Sequence, residues 1–138
     1  MSAPFVVDSS IGVGWVHPSQ ATDLTKRLLE EAKGGTALYV PALWHLEIAN
    51  ALLVVVRRKL MTEDQRQLGL NLLSQLRIII DDETNRLAFS KISEIAAKCG
   101  LSIYDATYLE LARRKSLPLG TRDEALRSAA KKFGVKLA

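Results

Sequence analysis

The sequence predicts a single α/β domain in which helices cover a parallel β-sheet. Short apolar runs alternate along the chain with longer segments of helical periodicity, a pattern typical of parallel strands joined by helices. The 138 residues are 48% hydrophobic and 25% charged, which is the balance of a folded domain with a substantial core. No repeat, linker or low-complexity segment divides the chain, so we expect one domain over residues 1–138.

Four short apolar runs predict buried strands. Apolar side chains predominate in each run, and Pro, Gly or Asp residues lie at or next to the ends of the runs. The predicted strands are residues 4–8, Leu38–Val40, Arg77–Ile80 and Leu117–Gly120. A further run, Val135–Leu137, is a candidate for a last strand.

The segments between these runs predict helices, because apolar side chains recur every three to four residues and helix start or stop residues frame most of them. They lie near 9–16, over about 19–33, over Ala42–Lys59, from Thr62 onward, over 84–99, over Ser102–Lys115 and over Asp123–Phe133. The segment Ala42–Lys59 is apolar on nearly every face, so we expect this helix to be central in the fold.

Composition excludes several classes of protein. The single cysteine, Cys99, provides no disulfide framework, which favours a reducing compartment. The first residues lack a basic region, and no run approaches the roughly 18 apolar residues of a membrane span. Glycine-rich nucleotide-binding patterns are also absent. We therefore predict a cytoplasmic protein that has no membrane partner.

Positive charge is concentrated in the second half of the chain. Residues 1–85 contain 8 basic and 10 acidic side chains, whereas residues 86–138 contain 11 basic and 5 acidic ones. The formal net charge is +4. A basic half of this kind suits a polyanionic partner such as RNA, although Lys and Arg also cover helix surfaces simply for solubility.

Three aspartates fall where a site is expected. In open parallel sheets, binding sites form beyond the C-terminal ends of the strands. Asp8 ends the first predicted strand, Asp123 follows the fourth, and Asp105 lies in the first turn of the preceding helix. Each has a structural alternative, because Asp8 and Asp123 could cap helices and Ser102 with Asp105 matches a capping box.

Glu47 is a fourth candidate, because an unpaired ionised carboxylate inside an apolar helix is costly. Asn50 follows one turn later, so a hydrogen bond between the two is the structural alternative. Four carboxylates brought together would repel each other unless a cation compensated them. Since His17 and His45 are the only histidines and no cysteine cluster exists, the oxygen ligands favour Mg²⁺ or Mn²⁺ over Zn²⁺.

At these residues the sequence resembles the PIN-domain nucleases, and among them the VapC-type toxins of bacterial and archaeal toxin–antitoxin modules. The similarity extends over the whole chain and keeps four motifs in order and at the right spacing. The matching segments are Val6–Ser10, Val40–Leu52, Leu101–Ala112 and Leu117–Asp123. One departure is Gly120, where relatives usually have Ala; the greater backbone freedom could loosen the residues that follow it.

The resemblance implies an endoribonuclease on a parallel, five-stranded sheet with helices on both faces. The residues that match the family's acidic metal site, which holds Mg²⁺ or Mn²⁺, are Asp8, Glu47, Asp105 and Asp123. Thr121 matches the Ser or Thr that commonly precedes the last acid. The resemblance also implies a homodimer and a cognate VapB-like antitoxin whose C-terminal segment occupies the active groove.

We therefore expect the four acids to be catalytic metal ligands that serve the attack of water on an RNA phosphodiester. Asn50 and Thr121 are expected to support them, and Arg122 is the nearest candidate for contact with RNA, unless it is simply an exposed loop residue. The other basic residues proposed for the RNA backbone are Arg113, Arg114, Lys115, Lys131 and Lys132.

Other functions remain compatible with this pattern. The fold could belong to a PIN-domain RNA-processing factor that is not a toxin, or to a non-catalytic module that binds RNA or protein. A phosphoacceptor signalling domain could use Asp81 and Asp82, but it predicts a second acid beside Asp8 and leaves Glu47 unexplained.

Overall fold

The computed structural model describes residues 3–138. Strands and helices alternate along this part of the chain, as the hydrophobic pattern predicts. The strands are β1 (Phe5–Val7), β2 (Leu38–Pro41), β3 (Ile78–Asp81) and β4 (Leu119–Gly120). The helices are α1 (Ser9–Val16), α2 (Asp23–Lys33), α3 (Leu43–Arg57), α4 (Glu63–Ser74), α5 (Thr84–Leu87), α6 (Ser93–Cys99), α7 (Ile103–Lys115) and α8 (Glu124–Lys132).

The four strands form one parallel sheet in the order β3-β2-β1-β4. All three residues of β1 are buried, so helices cover both faces of the sheet at its centre, and the predicted fold class is confirmed. The run Val135–Leu137 contributes a single parallel bridge, between Leu137 and Leu119. It therefore extends the sheet beside β4 without forming a full fifth strand.

The central helix of the fold is α7. It packs against β1, β2 and β4, and seven consecutive residues, Ala106–Ala112, are buried. The prediction that the Ala42–Lys59 helix is central is wrong, because α3 buries only one stripe, formed by Trp44, Ile48 and Leu52. The opposite face of α3 stays open, and Leu46 is 75% exposed.

Two predicted helices are interrupted. The segment predicted as a helix over about 19–33 begins with a 3₁₀ turn at Pro18–Gln20, and α2 starts only after Thr22, whose hydroxyl accepts a hydrogen bond from the Thr25 amide. The segment 84–99 contains a π-helical turn, Ala88–Ile92, between α5 and α6. Gly100, at φ 65°, ends α6 as predicted. No helix within residues 3–138 has both the length and the apolar character needed to cross a bilayer.

Candidate active site

Asp8 lies at the C-terminal end of β1 and is buried. Its Oδ1 accepts hydrogen bonds from the Ser10 hydroxyl at 2.7 Å and the Ile11 amide at 3.2 Å, so the side chain caps α1. The Trp44 indole N–H donates to the Asp8 carbonyl oxygen at 3.0 Å. The capping role considered for Asp8 is therefore present, and the carboxylate is held in one orientation at the strand end.

Thr121 connects two of the four predicted acids. Its hydroxyl, which is completely buried, donates to Asp8 Oδ2 at 2.5 Å and accepts from the Asp123 amide at 3.0 Å. These bonds form because β4 pairs directly with β1, which brings the two strand ends side by side. The predicted supporting residue Thr121 thus lies between Asp8 and the start of α8.

Asp105 and Asp123 both lie at helix N-termini. Asp123 caps α8 through its Oδ1, which accepts from the Leu126 amide at 2.9 Å, and its side chain is exposed. Asp105 is half-buried in the first turn of α7, where its amide donates to the Ser102 hydroxyl at 3.0 Å. The capping role proposed for Asp123 is therefore present, whereas only the Ser102 half of the capping box proposed for Ser102 and Asp105 is formed.

Glu47 is half-buried on α3, and its partner comes from α7. The Tyr108 hydroxyl donates to Glu47 Oε1 at 2.5 Å. Asn50, by contrast, is exposed, and among the described residues no hydrogen bond joins it to Glu47. The Glu47–Asn50 hydrogen bond is therefore not formed among the described residues, and the supporting role expected of Asn50 stays a prediction.

The four carboxylates influence one another electrostatically. Burial raises the pKa of Asp8, and Asp105 raises it further, against the opposing hydrogen bonds from Ser10, Thr121 and Ile11. Burial also raises the pKa of Glu47, with the charges of Asp105 and Asp8 adding to the effect, although the Tyr108 hydrogen bond opposes it. The Asp105 pKa is raised by burial and by Asp123. These acids therefore form one cluster of unfavourable negative charge.

The chemistry of this cluster fits a hard divalent cation. Its donors are carboxylate oxygens, and no Lys or Arg within residues 3–138 forms a salt bridge with any of the four acids. However, in the part of the chain that the structure describes, no three Asp, Glu, His or Cys side chains are grouped closely enough to hold an ion. The assignment of the four acids as metal ligands therefore stays a prediction.

Arg122 is neither exposed nor free. Its Nε and Nη1 donate to the carbonyl oxygens of Ser10 and Gln20 at 3.1 and 3.2 Å, and its Nη2 donates to Gln20 Oε1 at 2.6 Å. These bonds tie the loop after β4 to α1 and to the 3₁₀ turn. Arg122 therefore stabilises the loop after β4, and its contact with RNA stays a prediction.

The other predicted basic residues do not surround the acids. Arg113 and Lys115 lie in the last turn of α7, whereas Asp105 lies in its first turn, and eight residues of helix separate Arg113 from Asp105 by about 12 Å. Lys131 and Lys132 likewise end α8. The basic surface is therefore displaced from the carboxylate cluster along both helices.

Arg114 forms salt bridges with two carboxylates of the same chain, Asp81 and Glu110. It donates two hydrogen bonds to Asp81, at 3.0 and 2.8 Å, and two to Glu110, at 2.9 and 3.1 Å. Burial would raise the pKa of Asp81, but the hydrogen bonds and charge of Arg114 outweigh it, so the pKa lies below its usual value. Asp81 is thus an ion-pair partner, which argues against the phosphoacceptor alternative.

Neither histidine joins the acids in a ligand group within the described residues. His17, predicted as a loop residue, does follow α1, but it is buried; its Nε2 hydrogen-bonds with the Ser19 hydroxyl at 2.8 Å. His45 is exposed and packs edge-on against Trp44.

Gly120 does not loosen the site. A Cβ at this position would lie 2.9 Å from Leu28 Cδ1, so glycine leaves room for the buried Leu28 side chain. The Gly120 carbonyl accepts from the Asp8 amide at 3.0 Å, which fixes the backbone. The expectation that Gly120 loosens the residues after it is therefore wrong. Leu28 packs closely against Gly120 in the space that a side chain would fill, and the hydrogen bond from Asp8 fixes its backbone.

Sequence reasoning missed two residues that hold the acids in place, Tyr108 and Ser10. Tyr108 follows Asp105 by three positions and so shares its helix face, which was a usable indication. Ser10 lies two residues after Asp8, at a position where a hydroxyl commonly folds back onto a capping aspartate.

The fold and the acid cluster define a class of protein: a parallel α/β domain with carboxylates gathered beyond the C-terminal ends of its central strands. The model of the PIN domain family matches residues 5–132. The chain belongs to the PIN domain family. No curated protein sequence matches it significantly.

Solved structures with the same fold include three that cover nearly all of this chain. PAE2754 from Pyrobaculum aerophilum is 21% identical, with a TM-score of 0.68, over 92% of this chain and 79% of that one. VapBC2 from Rickettsia felis, bound to a DNA fragment from its promoter, is 16% identical, with a TM-score of 0.63, over 98% and 97%. FitAcB from Neisseria gonorrhoeae is 17% identical, with a TM-score of 0.60, over 96% and 95%.

Proposed function

We propose that this PIN domain is a divalent-metal-dependent endoribonuclease of the VapC type. PIN domains are generally nucleases. The observation that carries the proposal is a group of four acids in which neighbouring carboxylates help to raise the pKa of Asp8, Glu47 and Asp105, while no basic residue among those described forms a salt bridge with any of the four. Such a cluster is unfavourable by itself and becomes favourable when a cation joins it.

In the proposed site, Asp8, Glu47, Asp105 and Asp123 provide oxygen ligands for Mg²⁺ or Mn²⁺. When bound, the cation would lower the pKa of a water molecule and stabilise charge on the phosphoryl oxygens. Thr121 and Ser10 hold the Asp8 carboxylate in one orientation, and the dipoles of α7 and α8 present partial positive charge to the acids at their N-termini. No side-chain nucleophile is required.

We propose further that the protein is cytoplasmic, forms a homodimer and is neutralised by a VapB-like antitoxin. The similarity to VapBC2 supports a toxin–antitoxin role. A PIN-domain RNA-processing factor without an antitoxin is the alternative role.

A non-catalytic binding module is the second candidate function. It is favoured by one observation, that no three metal-ligating side chains within residues 3–138 are grouped closely enough to hold an ion. This candidate predicts RNA binding that survives Asp8→Asn and no metal-dependent cleavage.

Cleavage of single-stranded and structured RNA by the purified, antitoxin-free protein tests the proposal. Mn²⁺ or Mg²⁺ should support cleavage, and both EDTA and Asp8→Asn should abolish it. Asp64→Asn is the matched control, because Asp64 is also in the first turn of a helix but lies on α4 and is exposed. Folded protein that binds Mn²⁺ without cleaving RNA would instead support the binding module.

A further inference from the structure

Tyr108 is a buried tyrosine whose hydroxyl points to a carboxylate rather than to solvent. The residue is 1% exposed, and its hydroxyl donates to Glu47 Oε1 at 2.5 Å. The two residues are 61 positions apart, on α7 and α3. Among the described residues, it is the only hydrogen bond between the two helices that carry Asp105 and Glu47.

Neighbouring residues on both helices fix the positions of Tyr108 and Glu47. On α7, Tyr108 lies three residues after Asp105 and therefore on the same face, so one helix supplies an acid and a donor to the cluster. On α3, Trp44 lies three residues before Glu47 and donates to the Asp8 carbonyl oxygen at 3.0 Å. Glu47 is thus held between a link to β1 and a link to α7.

Tyr108 remains a donor under all ordinary conditions. Burial raises the pKa of its hydroxyl, and the hydrogen bond and charge of Glu47 raise it further. The same hydrogen bond opposes the rise that burial causes in the pKa of Glu47. Tyr108 is therefore the donor of the pair and Glu47 the acceptor.

We propose that Tyr108 is a positioning residue of the metal site. Its hydroxyl holds the Glu47 carboxylate in one orientation, and this orientation strengthens the binding of the divalent cation. Tyr108 acts through Glu47 and contacts neither metal nor RNA. The inference rests on the proposed function, since it concerns the same site.

The test is the affinity of the metal-free protein for Mn²⁺, measured by titration calorimetry without RNA. Tyr108→Phe keeps the buried ring and removes only the donor. We expect it to weaken Mn²⁺ binding by about 10–100-fold, the usual effect of losing a hydrogen bond to a metal ligand. Tyr104→Phe is the matched control, because Tyr104 is on the same helix but is 64% exposed, and its affinity should be unchanged.

A second comparison separates positioning from simple packing. In a Glu47→Gln background, Tyr108→Phe should have no further effect on Mn²⁺ affinity, because the group through which it acts has lost its charge. A packing role would instead lower the melting temperature by the same amount in both backgrounds and leave Mn²⁺ affinity unaltered in each.

The outcomes distinguish this inference from the proposed function. Wild-type protein that fails to bind Mn²⁺ overturns both. Wild-type binding with an unchanged affinity in Tyr108→Phe overturns the positioning role alone. An effect of Tyr108→Phe that persists in full beside Glu47→Gln also overturns it, because Tyr108 would then act by another route.

Discussion

Thr121 illustrates how a single buried hydroxyl can order a charged site. It donates to Asp8 and accepts from the Asp123 amide, so both of its hydrogen-bonding capacities are used between two predicted metal ligands. Because the side chain is completely buried, water cannot replace either partner. The same hydroxyl therefore contributes to stability and to the placement of Asp8.

Thr121→Val should destabilise the protein by about 1–3 kcal/mol, because it keeps the shape of the side chain and leaves Asp8 Oδ2 and the Asp123 amide without a hydrogen-bond partner. Urea unfolding measures the change. Thr121→Ser retains the hydroxyl and should recover most of the stability; equal destabilisation in the two variants would show that methyl packing, not the hydrogen bonds, is responsible.

Asp8→Asn should reduce RNA cleavage by at least about 100-fold while leaving the fold intact. Asparagine caps helices as well as aspartate does, so the bond to the Ile11 amide can persist, whereas the charge that attracts the cation is removed. Activity and circular dichroism together check this prediction. Unreduced cleavage by the folded variant would remove Asp8 from the site.

The raised pKa of Asp8 predicts a pH dependence for the metal-free protein. Between the ordinary aspartate pKa, about 4, and the raised value, the folded state binds more protons than the unfolded state, so stability falls as pH rises through this window. In EDTA, Asp8→Asn should therefore melt at increasingly higher temperature than wild type as pH rises. A melting-temperature difference that stays constant with pH would contradict the prediction.

Among the helices, α7 connects the most parts of the fold. It packs on three strands, contributes Asp105 and Tyr108 at one end and Arg114 at the other, and Arg114 binds Asp81 on the edge strand β3. Asp81 and Glu110 are both buried. The helix thus links the acid cluster to the far edge of the sheet.

Arg114→Met should destabilise the protein by about 3–5 kcal/mol, because it leaves the two buried carboxylates of Asp81 and Glu110 without a cation. Arg66→Met, which breaks an i, i+3 pair with the largely exposed Glu63, should destabilise the protein far less, because solvent screens this pair. Denaturant unfolding of the two variants tests the contrast, and similar destabilisation in both would contradict it.

At the scale of the whole molecule, the predicted metal ligands and the basic ends of α7 and α8 lie apart. The predicted metal ligands Asp105 and Asp123 lie at the N-terminal ends of α7 and α8, and basic residues occupy the C-terminal ends of the same helices. Positive charge there would attract the RNA backbone without specifying its sequence.

Replacing Lys131 and Lys132 together by Gln should weaken single-stranded RNA binding by the Asp8→Asn protein and reduce the salt dependence of that binding. For every RNA phosphate that a lysine no longer neutralises, the slope of log K against log salt should fall in magnitude by about 0.7. Arg57 and Arg58, in the last turn and the C-cap of α3, provide the matched control pair. An unchanged slope in the Lys pair would place RNA elsewhere on the surface.

The alternation of strands and helices and the parallel sheet could be predicted from the sequence, because apolar strand runs, helix caps and stops such as Gly100 depend on residues close together in the chain. The four acids were also proposed from the sequence, and their role as metal ligands stays a prediction. The identity of the central helix, the bond between Arg122 and Gln20, and the pairing of Glu47 with Tyr108 rather than Asn50 could not be predicted in this way. The reason is physical: those outcomes depend on contacts between residues 61 and 102 positions apart, which the packing of helices on the sheet creates and no local pattern encodes.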